Sequence, residues 1–179
     1  MPTESARTIP TTGAAPEWAA EAPRTLDELA RLDADALDGL YRGGRMFDLR
    51  ALNGEPTGRM LALVGPLGGP GPRRRIAAMA AAKRFPWYGK SFQAGSATEG
   101  EGINRVVLLG DMYRFDTRIE PSAIDGEPCI FLDYDLPENP FFIRAIRDEL
   151  RQVGPDLYLG PAMLGQQDPK LVLWFAIAP

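Results

Sequence analysis

The sequence contains no histidine and a single cysteine, Cys129. Without histidine the chain lacks the commonest general base and the commonest metal ligand. One cysteine excludes an intramolecular disulfide and any metal site built from several thiolates. Cys129 lies in an apolar stretch, and no histidine is present to lower its pKa, so the sequence predicts a small buried core residue. We expect no metal and no cofactor.

Long apolar runs and an excess of basic residues are also absent. The longest apolar run, 171–178, has the length of a strand, far below the roughly 20 residues of a membrane span. The first residues lack the basic start and apolar run of a signal peptide. The net charge of −4 argues against general nucleic-acid binding, which usually needs a basic surface. We therefore expect a cytoplasmic protein with no membrane span and no nucleic-acid partner.

A chain of 179 residues is long enough for one domain whose core has room for a ligand cavity. Residues 1–24 are rich in proline, alanine, threonine and glutamate and show no periodicity, which predicts a disordered N-terminal tail. Residues 25–179 are then the single domain. Trp18 is the exception in the tail, and it would dock either on the domain or on a protein partner.

Alternation of apolar and charged residues indicates strands, most clearly between Tyr113 and Glu120. A period of two is typical of a strand with one face on a core and the other in water. Asp125-Gly126 is a hairpin signal that joins this strand to the next, over 127–135. Further strands are predicted over 40–49, 60–64, 85–92, 103–109, 157–163 and 171–177. The pattern predicts a mainly β fold.

Three helices are predicted to accompany the strands. Thr25 and Glu28 form a capping box that opens a short helix, and Asp35 would cap a second turn. Asn139-Pro140 resembles a helix start, and an apolar stripe follows at Phe142, Ile146, Leu150 and Val153. This pattern predicts a C-terminal helix inserted between strands. A basic, alanine-rich helix is predicted over 73–84, after a Gly–Pro loop over 65–72 that lacks a phosphate-binding signature.

Two motifs carry a resemblance to a known family. Gly39-Leu40-Tyr41-Arg42-Gly43 resembles the Gly-x-Trp-x-Gly signature of small bacterial and fungal lipocalin-like domains, with Tyr41 where that family has tryptophan. Trp87-Tyr88-Gly89-Lys90-Ser91-Phe92 is similar to a second segment of the same family. The resemblance implies a lipocalin-like antiparallel barrel or half-barrel, related to fatty-acid-binding proteins and nitrobindins. Haem binding of the nitrobindin kind would need a proximal histidine, which this chain lacks.

A small barrel of this kind can enclose one ligand among apolar side chains and a few polar groups. Asp133 and Asp135 lie two apart on one strand face and are candidate catalytic acids if buried; otherwise they cap a turn or pair with Arg144, Arg105 or Arg118. Asn104 is a further polar candidate. The predicted ligand-binding residues are Tyr41, Trp87, Tyr88, Lys90, Arg105, Tyr113, Phe115, Arg118, Phe131, Tyr134 and Trp174.

No catalytic signature is present, and three functions stay open. The first is binding of a small hydrophobic or aromatic molecule inside the barrel. The second is a cofactor-independent isomerase or cyclase that uses the cavity, with an aspartate or tyrosine as acid. The third is an accessory or assembly subunit that docks on a larger complex through its N-terminal tail and its basic helix. The sequence also leaves open whether the chain forms a homodimer.

Overall fold

The computed structural model describes residues 22–64, 87–106 and 110–179. They form a closed antiparallel barrel in which each strand pairs with its neighbours in sequence and the last strand pairs with the first. The eight strands are β1 (Thr57–Leu63), β2 (Trp87–Ala94), β3 (Gly100–Val106), β4 (Gly110–Pro121), β5 (Pro128–Asp133), β6 (Ile146–Gly154), β7 (Leu157–Leu164) and β8 (Lys170–Ala178). The prediction of a mainly β, antiparallel barrel is confirmed.

The alternating segment around Tyr113 is strand β4, with an irregularity that the sequence pattern does not reveal. Phe115 and Thr117 are buried as predicted, whereas Ile119 is 43% exposed. Tyr113 has a φ of +64°, and the β3 partners skip from Arg114 to Met112 at this point. Tyr113 is therefore the extra residue of a bulge. The hairpin at Asp125-Gly126 forms where predicted, between β4 and β5.

Two short helices precede the barrel. In α1 (Leu26–Leu29) the hydroxyl of Thr25 accepts a hydrogen bond from the Glu28 amide at 3.2 Å, so the predicted N-cap is confirmed. α2 (Ala34–Arg42) is capped by Asp33 and not by Asp35. The strand predicted over 40–49 is wrong, because Leu37 and Tyr41 are four residues apart and bury the same helical face.

The predicted C-terminal helix is also wrong. The chain turns between Pro140 and Ala145 and then enters β6, while the Asn139 side chain donates to the carbonyl groups of Arg114 and Tyr134 and caps no helix. The apolar residues of this segment happen to recur at helical spacing. Strand alternation is hidden because the inward face of β6 includes a charged residue, Asp148, between Ile146 and Leu150.

Apolar side chains form one core inside the barrel and another outside it, and β8 contributes to both. The interior core includes Phe175 and Ile177 of β8, together with Phe92, Phe115, Ile130, Leu132, Leu150 and Tyr158. The outer cluster lies between the two helices and the barrel wall. It includes Trp174 and Ala176 of β8 with Leu29, Leu37, Tyr41, Leu61, Val153, Leu157 and Leu159.

The segment between α2 and β1 fills one end of the barrel interior. Its 3₁₀ helix, Leu49–Leu52, begins with the Leu49 amide donating to the Ala97 carbonyl in the β2–β3 turn at 2.8 Å. Leu49 and Leu52 are buried in the interior core, and Phe47 packs on Tyr158 with 4.4 Å between ring centroids. Space for a ligand is thereby confined to the opposite end.

Several predictions concern residues outside the described ranges. They are the docking of Trp18 and most of the N-terminal tail, the loop over 65–72, the basic helix over 73–84 and the end of the strand predicted over 103–109. Within the described ranges, none of the helices has both the length and the apolar character that crossing a membrane requires.

Candidate binding site

A cavity of about 170 Å³ lies inside the barrel at the end opposite the 3₁₀ helix. Trp87 at the start of β2 and Ile146 at the start of β6 contribute to its wall, as does Ile143 from the β5–β6 connection. Most of the other lining residues are apolar or aromatic. The complete lining is Met60, Trp87, Lys90, Asn104, Tyr113, Tyr134, Ile143, Ile146, Asp148, Ala162, Leu173 and Phe175.

A buried ion pair lies in the wall of this cavity. The Nζ of Lys90 on β2 is 2.9 Å from Oδ2 of Asp148 on β6, and the two residues are only 3% and 5% exposed. Lys90 also donates to Oδ1 of Asn104 at 2.8 Å and to Oη of Tyr134 at 2.5 Å. An ammonium group has three N–H donors, so these three acceptors use its full capacity.

Four aromatic rings surround the Lys90 ammonium. Its Nζ lies 5.2 to 5.5 Å from the ring centroids of Trp87, Phe115, Tyr134 and Phe175. At such distances the ring faces attract a cation. Burial nevertheless lowers the pKa of Lys90, and the charge of Asp148 and its hydrogen bond oppose that shift.

Asp148 is the least satisfied polar residue of the site. Its Oδ2 accepts from Lys90 and from the Tyr134 hydroxyl, the latter at 3.1 Å. Its Oδ1 is buried and has no hydrogen-bond partner among the described residues. Leaving a buried acceptor without a donor costs about 1–3 kcal/mol, and more for a charged group. Asp148 lines the cavity, but its Oδ1 is enclosed in the wall and has no accessible surface.

Asn104 and Tyr134 hold the ion pair in place. The Asn104 Oδ1 also accepts from Nε1 of Trp87 at 3.1 Å, and its Nδ2 donates to Oη of Tyr134 at 3.0 Å. Burial raises the pKa of Tyr134 well above its ordinary value, and the neighbouring Asp148 adds to the shift. Tyr134 therefore stays protonated and keeps its donated bond to Asp148.

Four of the eleven predicted ligand-binding residues line the cavity: Trp87, Lys90, Tyr113 and Tyr134. Phe115 belongs to the interior core and reaches the site only through its ring near Lys90. Asn104, the further polar candidate, also lines the cavity. Whether these residues bind a ligand stays a prediction.

Six of the predicted residues lie outside the barrel interior. Tyr41 and Trp174 pack against each other in the outer cluster, with 5.5 Å between ring centroids. The other four are in cation–π stacks: Arg118 over Phe131 at 4.6 Å, and Arg105 over Tyr88 at 4.5 Å. None of the six lines the cavity, because Tyr41 belongs to a helix outside the barrel and the other five project from the outer faces of their strands.

The two candidate acids are not buried in the cavity either. Asp133 pairs with Arg118 at 2.7 Å, and Asp135 pairs with Arg144 at 2.6 Å. Both pairs are at least partly exposed. These carboxylates therefore form surface ion pairs, which is the predicted alternative to buried catalytic acids. Asp148 was not predicted, because its segment was interpreted as a helix. The one sequence signal for an inward-facing Asp148 in a strand is its spacing, because the apolar residues Ile146 and Leu150 lie two positions before and two positions after it.

A second buried carboxylate, Glu149, faces the outer side of β6. Its Oε2 accepts from the hydroxyl groups of Tyr41 at 2.7 Å and Ser122 at 2.5 Å. Its Oε1 accepts from the Ala123 amide at 2.9 Å and from Nε of Arg147 at 2.8 Å. Both oxygens are satisfied, so this cluster ties α2 and the β4–β5 connection to the barrel wall and offers nothing to a ligand.

Cys129 lies beside this second cluster and is fully buried. Burial raises the pKa of its thiol to about 12, and the charge of Glu149 adds to the shift. The thiolate, which is the reactive form, is therefore suppressed at neutral pH. The prediction that Cys129 is a small buried core residue is confirmed.

No protein-family model matches the sequence, and no curated protein matches it. Among solved structures, the crystal structure of a protein from Thermomonospora curvata is similar over 82% of this chain and 87% of that chain, with 18% sequence identity and a TM-score of 0.48. A likeness at that level supports no inference about function. The barrel itself is established by its strand pairing, and the lipocalin-like family resemblance stays a prediction.

Proposed function

We propose that this protein binds a small, mainly apolar molecule in the cavity at the end of the barrel interior. The observation that carries the proposal is the cavity itself, in which aromatic and aliphatic side chains surround the buried Lys90–Asp148 pair. Ligand sites are typically apolar with a few fixed polar groups.

The size of the cavity limits the ligand. An engineered apolar cavity of about 150 Å³ in another protein binds benzene, and this cavity measures about 170 Å³. A molecule of one ring with a small substituent fits such a space. Haem, long-chain fatty acids and polyenes are far larger than this cavity, so the proposed ligand is smaller than any of them.

The Lys90–Asp148 pair supports a role in binding because such pairs contribute little to stability. Removing two charges from water costs about as much as their attraction returns, and apolar residues of similar volume often serve equally well. Beside a cavity, the same pair and its hydrogen bonds present polar atoms in fixed positions. An isomerase or cyclase would need a proton donor directed at the cavity, and the Tyr134 hydroxyl is already engaged with Asp148. Binding without turnover is therefore the better-supported function.

The proposal is tested by filling the cavity. Ala162 lines it from β7, so Ala162→Phe places a ring where the ligand would lie. Ala51→Phe, at an exposed position of the 3₁₀ helix, is the matched control. We expect calorimetric titration with toluene to give micromolar to millimolar binding to wild type and to Ala51→Phe, and none to Ala162→Phe. Failure of wild type to bind, or equal binding by Ala162→Phe, would contradict the proposal.

Native mass spectrometry of the purified protein complements the titration. A mass above that of the denatured chain would reveal a retained small molecule and identify its chemical class. The proposal predicts that Ala162→Phe loses this additional mass and that Ala51→Phe keeps it.

A further inference from the structure

We infer that Tyr113 determines the size of the ligand that the cavity accepts, and that a strained bulge in β4 places its ring in the cavity wall for this purpose. This inference rests on the proposed function and names a residue that sets the specificity of that site. Three properties of Tyr113 support it: its backbone conformation, its lack of a partner on β3 and the position of its side chain.

Tyr113 has a backbone conformation that bulky residues rarely adopt. Its φ is +64°, in the left-handed region where the Cβ atom of an L-residue crowds its own backbone. Asp156 is the other non-glycine residue with a positive φ in the described ranges, and it lies in the turn between β6 and β7, where aspartate is tolerated. At the other described positions with a positive φ the chain has glycine: Gly54, Gly89, Gly110, Gly126 and Gly165.

The bulge adds one side chain to the inward face of β4. Ile103 on β3 pairs with Arg114. The next residue, Asn104, pairs with Met112, so Tyr113 is left without a partner on β3. Directly opposite residues of an antiparallel pair share a face, and Asn104 lines the cavity. Regular pairing would therefore leave Met112 as the inward residue at this level, and the bulge supplies an aromatic ring in addition.

The side chain of Tyr113 is not enclosed by its neighbours. It is half-buried, packs against the interior core and contributes to the cavity lining, whereas Asp148 is only 5% exposed. Its ring is similar in size to the single ring that a cavity of about 170 Å³ accommodates. Removal of the ring should therefore make room for a second ring in the ligand.

The strain favours a role for the ring of Tyr113 over a role for the bend in the chain. Residues with strained backbones cluster at binding and catalytic sites, where the surrounding structure enforces the conformation. Glycine would adopt the same φ without crowding, but it would supply no ring. A tyrosine at this position is therefore explained by what its side chain contributes to the cavity.

The test compares ligands of one and two rings. Toluene and naphthalene are both neutral and apolar, and naphthalene has the second ring. Calorimetric titration gives their affinities for wild type, Tyr113→Phe, Tyr113→Ala and Tyr113→Gly. We expect wild type and Tyr113→Phe to bind toluene about tenfold or more tightly than naphthalene. In Tyr113→Ala and Tyr113→Gly this ratio should fall by about tenfold, because the space left by the ring admits the larger ligand.

The same variants test the strain. At an ordinary strand position alanine is more stable than glycine, whereas a positive φ reverses that order. We therefore expect Tyr113→Gly to unfold at a higher urea concentration than Tyr113→Ala. Asp156→Gly and Asp156→Ala are the matched control, because Asp156 has a φ of +53° and does not line the cavity. They should show the same order of stability and keep the wild-type ratio of affinities.

Wild type provides a second measurement that needs no substitution in the site. In protein labelled with 3-fluorotyrosine, toluene should shift the fluorine resonance of Tyr113. The resonance of Tyr88 should stay unchanged, because that ring stacks with Arg105 outside the barrel interior. Tyr113→Phe and Tyr88→Phe assign the two resonances.

The outcomes separate this inference from the proposed function. If wild type binds toluene and the ratio of affinities is unchanged in Tyr113→Gly, or if toluene leaves the Tyr113 resonance in place, the inference is overturned and binding in the cavity stands. Greater stability of Tyr113→Ala than of Tyr113→Gly would overturn the strained bulge. Naphthalene bound by wild type as tightly as toluene would overturn the size limit. Absence of binding of either ligand to wild type would overturn both proposals together.

Discussion

Lys90 and Asp148 meet across the barrel interior from strands that are not neighbours in the sheet, with 2.9 Å between Nζ and Oδ2. The contact joins β2 to β6, which are separated by three strands in either direction around the closed barrel. The pair therefore bridges opposite walls, and the position of the unused Asp148 oxygen depends on it.

Breaking this pair should destabilise the fold strongly. Lys90→Met leaves Asp148 charged and buried, and we expect a loss of about 3–5 kcal/mol in the free energy of unfolding. Urea denaturation followed by tryptophan fluorescence measures it.

The double variant Lys90→Met/Asp148→Leu should recover most of that loss, because no unpaired charge remains. A double variant no more stable than Lys90→Met would contradict this account of the pair.

Removing the hydroxyl of Tyr41 should cost about 1–3 kcal/mol, because buried Glu149 loses a donor. Tyr41→Phe keeps the ring on Trp174 and removes the 2.7 Å bond to Oε2 of Glu149. Thermal unfolding by circular dichroism measures the change. Tyr88→Phe, at a partly exposed position, is the control and should leave the melting temperature unchanged.

The buried thiol of Cys129 should make the fold sensitive to alkaline pH. Its pKa is raised to about 12 in the folded state from about 8.5 in an unfolded chain. The folded state therefore keeps a proton that the unfolded state loses, so this group's contribution to stability is complete below pH 8.5 and declines as pH rises toward 12.

Comparison with Cys129→Ala isolates this effect. Above about pH 9 the stability of wild type relative to Cys129→Ala should fall by about 1.4 kcal/mol per pH unit. Burial also raises the pKa of Tyr158 to about 12, but Cys129 does not contribute to that shift, so its effect is the same in both proteins and cancels. Urea titrations at pH 7, 9 and 10 provide the measurement, and a difference that does not change with pH would contradict it.

The carboxylates of Asp133 and Asp135 should be dispensable. Each is in an ion pair at the barrel surface, and such pairs typically contribute 0–1 kcal/mol. Asp133→Asn and Asp135→Asn should bind toluene as wild type does and unfold within about 1 kcal/mol of it. Loss of binding in either variant would contradict this prediction and indicate that the substituted carboxylate contributes to the ligand site.

Local patterns in the sequence predicted most of the strands and one helix start. The alternation in β4, the Asp125-Gly126 turn and the Thr25 cap depend on neighbouring residues, so they can be inferred from short segments. The apolar runs of β7 and β8 can also be inferred from short segments. Both faces of these strands are covered, one by the interior core and one by the outer cluster, so nearly every position is apolar.

The errors arose where distant contacts decide the structure. In β6, Asp148 faces inward, where it meets Lys90 across the barrel, and Glu149 faces outward, where Tyr41 and Ser122 donate to it. Neither partner is close in sequence, so the segment resembled a helix. Predicted residues such as Tyr41 and Phe131 are buried in the outer cluster or beneath arginine side chains, and an aromatic residue alone does not reveal which face it occupies.

Closure of the barrel by β1 and β8 also has consequences for synthesis of the chain. The two strands pair from Thr57 with Ala178 to Leu63 with Leu173, more than a hundred residues apart in sequence. Until β8 has been made, β1 and β7 both present open edges, which are templates for wrong pairing between chains. Contacts of such long range also form slowly. A nascent chain therefore remains open to aggregation until β8 is complete, and its yield should depend on chaperones that shield strand edges during translation.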